Sequence, residues 1–444
     1  MTLQEALGGF PDGLAYGLQY AYSQGGSMVK AMFDRGEMPP AKALAVGLAL
    51  DPAGRKCMDD AIDAYALRDG DDLPAEAAEV VIGAGAHAAV YCAVRNKKHG
   101  IVPLVLEREP RFGGTFAMTR RPSFFLNSRN RPGQLGATGS RDALNVIPGA
   151  MMQPSDLGSS EYQQNSDLGM VVRMTLAMNA TVRTANVTQI AQNGDRLLVV
   201  TDRGIVIAGR VIVATGLGEE EQLKSIKSDG ERIMTFTQFM RRFDDLFPLR
   251  NLGRVAVVGG GDSGRTAVEG LMGYGPGAQG SVASLDYMEQ IDWYGIEPDM
   301  TKDRWLACNR TRYKPLAALF PNGASRNARV RGLDRAKTAL EAFDAVRLNS
   351  DSYDTVIVCK GFKTDWREQL NAQDLPKTDK YTTIPNGTTV GQATTDRRLV
   401  VIGPAADIGF AGAADPEPRI EENRVALFRL VPRTAALATH LAAA

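Results

Sequence analysis

The spacing of apolar positions changes at about residue 75. Before it, helical spacing is clearest in MDDAIDAYAL, residues 58–67, where apolar side chains recur three and four apart. Further upstream, Leu14 and Leu18, like Tyr16 and Tyr20, stand four apart but also alternate at period two, so helix and strand both fit. The acidic run DGDDLP, residues 69–74, reads as a linker. From Glu79 onward, short β-branched runs alternate with helical stretches, the pattern of a parallel α/β sheet. Strands are predicted at 79–82, 103–106, 197–201, 210–214, 254–258, 355–359 and 399–402. After Ile82 and again after Val258, a strand runs straight into a glycine turn and a helix. That is a duplicated fold type, without a short tandem repeat.

A chain of 444 residues is long for a single core, and two to three domains are expected. Its 44% hydrophobic and 23% charged residues are those of an ordinary globular protein. Fifty-one basic residues cancel fifty-one acidic ones, leaving no overall field to attract nucleic acid or an anionic membrane. Cys57, Cys92, Cys308 and Cys359 are scattered, with no CxxC pair, so free thiols are expected rather than a disulfide framework or a metal site. The start lacks the pattern of a signal peptide, and its longest apolar stretch, 43–50, falls far short of the ~20 residues of a spanning helix. A cytoplasmic location is the expectation.

The first glycine turn lies in EVVIGAGAHAAVYCAVRN, residues 79–96. Gly83 suits the tight turn, and Gly85 allows a pyrophosphate to approach the backbone. Small Ala88 lets helix and strand pack closely, with Ala86 and His87 between. The helix start offers free N–H groups and a partial positive charge to phosphates. The next strand ends at Glu107, 24 positions after Gly83 and followed by Arg108, close to the roughly 20-residue offset of an acid that binds ribose hydroxyls. RVAVVGGGDSGRTAVEGLMG, residues 254–273, repeats this logic with Gly259, Gly261 and Gly264 in the three glycine roles. Asp262 and Ser263 lie between them, and Ser263 is a candidate helix cap or phosphate donor.

With these motifs the chain resembles the flavoproteins with two dinucleotide-binding domains, a superfamily that includes disulfide reductases and flavin monooxygenases. In that family a glycine pair beside the flavin follows the acid. RFGGTF, residues 111–116, with Gly113, Gly114 and Thr115, takes its place, which implies FAD. RVIVATG, residues 210–216, resembles the family's strand-plus-ATG motif and adds Thr215 and Gly216. LVVIGPAADIGF, residues 399–410, resembles the strand and turn that pass the flavin. Asp407 falls near an acid that relatives use on the ribityl chain, although Pro404, Ala405 and Ala406 interrupt the usual Gly-Asp pair. The resemblance places NADPH or NADH in the second unit, which TVIVCKGF, residues 355–362, would leave.

The expected fold is therefore α/β, with two Rossmann-like, doubly wound dinucleotide-binding domains preceded by a helical N-terminal extension. The expected boundaries are an extension over 1–75, an FAD domain over 76–235 and 351–444, and an NAD(P)H domain over 236–350. The extension holds nothing catalytic; capping the body, building a subunit interface and covering the active site all stay open. In the second unit a strand is expected to end at Asp292, Trp293 and Tyr294, with neither an arginine directly after it nor an acid at its tip. Arg265, Arg304, Arg310 and Arg312 are candidate 2′-phosphate partners by type, and NADPH is expected over NADH.

A disulfide reductase needs a redox cysteine pair, and this chain has no close one. His87 is expected to pack rather than act as a base, and His99 and His440 lie at predicted helix ends. The second turn GGGDSG, residues 259–264, the ATG segment and NSDLGMVVR, residues 165–173, look most like the flavin monooxygenases and N-hydroxylases. The resemblance thus implies an NAD(P)H-reduced FAD enzyme that oxygenates a small-molecule substrate with O2 through a flavin hydroperoxide. A flavin reductase or dehydrogenase serving another acceptor is the alternative, and the intact second turn disfavours a non-catalytic flavoprotein. RRPSFFLNSRNRPG, residues 120–133, follows the glycine pair and supplies the candidate catalytic residue Asn127; a solvated loop with an aromatic anchor is the competing reading. No metal, nucleic acid or membrane partner is expected, and a homo-oligomer stays open.

Overall fold

The computed structural model describes residues 40–66, 72–118, 125–129, 162–223, 227–246, 252–272, 288–296, 330–334, 352–363, 365–375, 381–383, 389–393, 398–406 and 434–441, with isolated positions at 12, 147, 150–153, 156–157 and 316. Leu14, Tyr16, Leu18 and Tyr20 lie outside them, as do Cys308, Arg304, Arg310, Arg312 and Asp407.

Two helices lead, α1 (Pro40–Leu50) and α2 (Pro52–Ala66), which take up the apolar stretch 43–50 and much of the helical pattern 58–67. Leu44, Leu48, Met58 and Ile62 share one core with Val90, Val171 and Val400 of the body. The helix pair is therefore built into the first unit.

That unit opens with β1 (Glu76–Ile82), α3 (Ala86–His99) and β2 (Leu104–Glu107), a helical crossover between parallel neighbours. Helix α3 stops at Gly100, whose left-handed backbone lets its N–H bond Asn96 O, with Lys97, Lys98 and His99 on the negative end of the helix. A strand pair, β3 (Phe125–Arg129) and β4 (Tyr162–Gln164), leads into α4 (Asn165–Asn179) and β5 (Thr181–Thr184). A meander follows, β6 (Val187–Asn193), β7 (Arg196–Thr201) and β8 (Gly204–Val213). The predicted strand 210–214 is only the far half of β8. Its first half pairs antiparallel with β7 and alternates buried with exposed positions, a half-buried ribbon that a search for wholly apolar runs passes over.

After β9 (Glu219–Glu220), the second unit contains β10 (Ile233–Thr235), α5 (Phe236–Leu246), β11 (Gly253–Val258), α6 (Asp262–Met272), β12 (Met288–Ile296), β13 (Val330–Asp334) and β14 (Thr355–Val358). The chain returns through β15 (Phe362–Lys363), a short helix α7 (Trp366–Gln369), β16 (Tyr381–Thr383), β17 (Thr389–Ala393) and β18 (Leu399–Val401). The first sheet runs β16-β17-β18-β8-β1-β2-β5, with β7 on β8 and β6 on β7; the second runs β10-β14-β11-β12-β13, every neighbour parallel. The sequence boundaries 236–350 leave out β10 and β14, which the second sheet contains. Strands β9 and β15, one on each connection between the units, pair antiparallel.

Strand order reverses at β1, between β2 and β8, and at β11, between β12 and β14. Open parallel sheets bind ligands at the carboxyl edge of such a point. Among the described residues no helix is long and apolar enough to cross a membrane.

Candidate functional site

Register brings the first set of motifs to one edge. Ile82 lies opposite Leu106 and Val213, and Val213 opposite Val401. The residues that follow, from Gly83, Glu107, Ala214 and Ile402, therefore emerge side by side. Backbone bonds fasten them: Gly83 N–H donates to Leu106 O at 2.9 Å, Ala214 N–H to Ile82 O at 2.8 Å, and Ile402 N–H to Val213 O at 2.9 Å.

The glycines of the first turn differ in what surrounds them. A Cβ on Gly83 would stand 2.7 Å from Ala214 O, and its φ of +96° is one that side chains rarely adopt. Ala88 is fully buried between helix and sheet. Gly85, by contrast, faces only Gly114 Cα at 4.0 Å, leaving its backbone open at the start of α3. Ala86 is the first residue of α3. Gly113 N–H donates to Ala84 O at 2.9 Å, so the glycine pair is laid across the turn, and both Gly113 and Gly114 have positive φ. A Cβ on Gly114 would come within 3.0 Å of Gly85 Cα. Thr115 is exposed beside them in a short 3-10 turn. Gly216, with φ of +71°, has open space where its Cβ would be, and Thr215 Oγ1 is buried without a hydrogen-bond partner among the described residues.

Glu107 reaches into this edge. Ala84 N–H donates to its Oε2 at 2.8 Å and Glu109 N–H to its Oε1 at 3.1 Å. Burial pushes its carboxyl above the ordinary value, against the pull of those two donors. Each oxygen keeps a lone pair for a further donor. Arg108 is exposed and lies 3.5 Å from Glu109. His87 is buried, with Nδ1 3.3 Å from Thr434 Oγ1, and a Cβ on Gly403 would meet its ring at 2.6 Å. Burial pushes it down to about 4, so it packs as a neutral ring.

The second unit repeats the arrangement. A Cβ on Gly259 would stand 2.1 Å from Cys359 O, and one on Gly264 1.8 Å from Gly259 O, while Gly261 has nothing within 4 Å. Cys359-Lys360-Gly361 thus stands to the second turn as Ala214-Thr215-Gly216 does to the first, and Gly361 likewise has positive φ and open space. Trp293 Nε1–H donates to Gly259 O at 2.9 Å. Helix α6 begins at Asp262, so Ser263 lies inside its first turn and is not the cap that the sequence suggested.

The strand predicted to end at Tyr294 continues to Ile296. Asp292 is buried inside it, where Arg331 Nε and Nη2 donate at 2.7 and 2.6 Å and Tyr353 Oη–H at 2.7 Å. Burial alone would raise its carboxyl, but these donors hold it below the usual range. The sequence reading missed this cluster; its local signal was an acid set between Ile291 and Trp293. Arg265 is buried on the turn itself, with Nε donating to Gly260 O at 3.1 Å.

Asn127 stands in β3 rather than in a loop, because 125–129 pair with β4. Its link to the edge is indirect: β4 feeds α4, and a Cβ on Gly169 would stand 2.4 Å from Phe116 O next to the glycine pair. The polar stretch at 165–173 is a buried helix in which Asn165, Ser166 and Asp167 are all enclosed. Arg173 was not singled out by the sequence reading either, although a lone charge in LGMVVRMTLAM marks a buried ion pair. Of the cysteines, Cys57, Cys92 and Cys359 are free, and burial pushes the thiols of Cys92 and Cys359 well up.

Both edges fit dinucleotides: each has one glycine turn closed by backbone contacts, one glycine left open at a helix start, and a second open glycine on the neighbouring exit. Among solved structures, the chain is similar to a flavin-containing monooxygenase from Stenotrophomonas maltophilia, at 19% identity and a TM-score of 0.49 over 83% of this chain and 99% of that one. It is similar to a Lactococcus lactis thioredoxin reductase at 13% identity and 0.49 over the same shares. A bacillithiol disulfide reductase from Staphylococcus aureus matches at 11% and 0.47, over 82% and 99%. Likenesses this distant assign no activity. No curated protein matches the chain. The model of one family, pyridine nucleotide-disulphide oxidoreductase, matches residues 80–403, which take in both turns and both exits. The chain therefore belongs to the pyridine nucleotide-disulphide oxidoreductase family of FAD- and nicotinamide-dependent enzymes.

Proposed function

We propose that the first edge holds FAD, the second holds NADPH, and the enzyme is a monooxygenase of a small nucleophilic substrate. The observation that carries the two-site reading is the matched pair of open glycines, Gly85 and Gly261, each at a helix start beside an open exit glycine. In the FAD site Gly85 and the start of α3, through Ala86, would receive the pyrophosphate, and Glu107 the ribose. Gly113, Gly114, Thr115, Thr215 and Gly216 would border the rest. In the nicotinamide site Gly261, Asp262 and Ser263 would take the phosphates. The second unit then spans about 233–358, following its sheet.

Register supports NADPH over NADH. Glu107 directly follows Leu106, the partner of Ile82, whereas the residue after Tyr294, the partner of Val258, is Gly295. No carboxylate stands there to repel a 2′-phosphate.

Bound FAD supplies hydride acceptance and electron delivery to oxygen. The chain's own part is to place the two cofactors and exclude water. The cysteines support an exit that avoids thiols: Cys92 and Cys359 are enclosed with raised thiols, and the chain has no close pair.

The test follows NADPH oxidation, O2 uptake, H2O2 release and product with amine and thioether substrates. Equimolar NADPH and O2 use, with H2O2 falling as product appears, is expected. Replacing Cys57, Cys92, Cys308 and Cys359 by alanine should leave that turnover within about twofold, apart from any packing loss. NADPH oxidation that runs only with an added electron acceptor would instead mark a reductase, and loss of turnover in one folded cysteine variant would restore the thiol route.

A further inference from the structure

The glycine pair is held from behind by charges that belong to the N-terminal helices. Asp59 and Asp63 stand four apart on α2 and so share a face. Two arginines meet them there. Arg173 of α4, fully buried, lies with Nη2 2.7 Å from Asp63 Oδ1 and Nε 3.2 Å from Asp59 Oδ1. Arg111 lies with Nη2 3.0 Å from Asp59 Oδ2 and Nη1 3.5 Å from Asp63 Oδ2. Two positive and two negative groups make a largely buried cluster without net charge, the condition under which buried charge is tolerated.

Both arginines have donors left over, and both spend them on the same loop. Arg173 Nη1–H donates to Phe112 O at 2.9 Å, and its guanidinium lies 4.9 Å from the Phe112 ring centre. Arg111 Nε–H donates to Ala117 O at 2.8 Å. The carbonyls on either side of Gly113-Gly114-Thr115-Phe116 are thus each gripped by one arginine. The fit is close, for a Cβ on Gly113 would stand 2.9 Å from Arg173 Cγ. A third tie, from Arg55 of α2 to Asp167 of α4, fastens the same two helices.

We infer that Asp59 and Asp63 are positioning residues of the flavin site: by fixing Arg111 and Arg173 they set where the glycine pair lies over the first turn. The inference rests on the reading that FAD occupies that turn. The extension is then a working part of the cofactor site, since the two arginines owe their balance to it.

Asp59→Asn and Asp63→Asn test this in the full chain, each removing one charge at nearly constant shape. Asp60→Asn is the control; Asp60 is exposed on the same helix and pairs with Lys56. Far-UV circular dichroism checks the fold, and FAD titration with the visible circular dichroism of bound flavin reads the site. The expected result is FAD binding weakened on the order of tenfold or more in Asp59→Asn and Asp63→Asn, with an altered visible band. Asp63→Glu should restore much of it, as Asp63 is only partly enclosed, and Asp60→Asn should match the parent. Unchanged FAD affinity and an unchanged visible band in the folded variants would overturn the inference, leaving the cluster as a support for stability alone. If Asp59→Asn fails to fold, Asp63→Asn and Asp63→Glu decide by the same readings. A parent protein that takes up no FAD would instead overturn the flavin reading beneath it.

Discussion

His87 shows how one buried side chain couples the stability of the fold to pH. It sits on the first turn of α3, under Gly403, with its ring neutral and its Nε2 without a hydrogen-bond partner among the described residues. Its folded value of about 4 lies below the ordinary 6.5, so the unfolded chain takes up a proton that the folded one refuses. The stability it contributes is complete above pH 6.5 and is lost as pH falls toward 4, by up to about 3 kcal/mol. Urea midpoints of the parent should therefore fall between pH 7 and 4.5 more steeply than those of His87→Gln. Parallel profiles would show that the ring takes up its proton as readily in the fold as in the unfolded chain.

At the scale of an element, the strand–turn–helix unit assigns different work to glycines that look alike in sequence. Gly264 meets Gly259 O and Gly261 meets nothing. Gly264→Ala should therefore force β11 and α6 apart and cost on the order of 3 kcal/mol, whereas Gly261→Ala should leave the melting temperature almost unmoved. Equal losses in thermal melts of the two variants would contradict the geometry. These turns were legible in the sequence because everything that defines them is local: a buried strand, three small residues at fixed offsets, and a helix. The meander was less so. Its ribbon half of β8 alternates, and only pairing with β7 reveals where the strand begins.

At the scale of the molecule, what was legible and what was not divide by sequence distance. The two sheets, the ATG exit and the glycine pair follow from runs of adjacent residues. The grip on the glycine pair joins Asp59 and Asp63 to Arg111 and Arg173, across three elements, and no local pattern announces such a meeting. The same distance hides the Asp292, Arg331 and Tyr353 cluster, which forms only once β12 and β13 lie side by side. The units also touch away from their paired strands, with Arg241 of α5 2.9 Å from Glu109 and Met118 packed against the second core. The segment that carries the glycine pair therefore lies where the two units meet.

The central claim is that these are two sites with separate tasks, and Gly261→Val addresses it most directly. The side chain would enter the open space at the second turn without touching the first. Anaerobic mixing with NADPH in a stopped-flow spectrophotometer gives both readings at once, the flavin spectrum before mixing and its bleaching after. The account predicts a full flavin spectrum with reduction slowed by a factor on the order of a hundred or more. A variant that bleaches as fast as the parent, or that purifies without flavin, would contradict it.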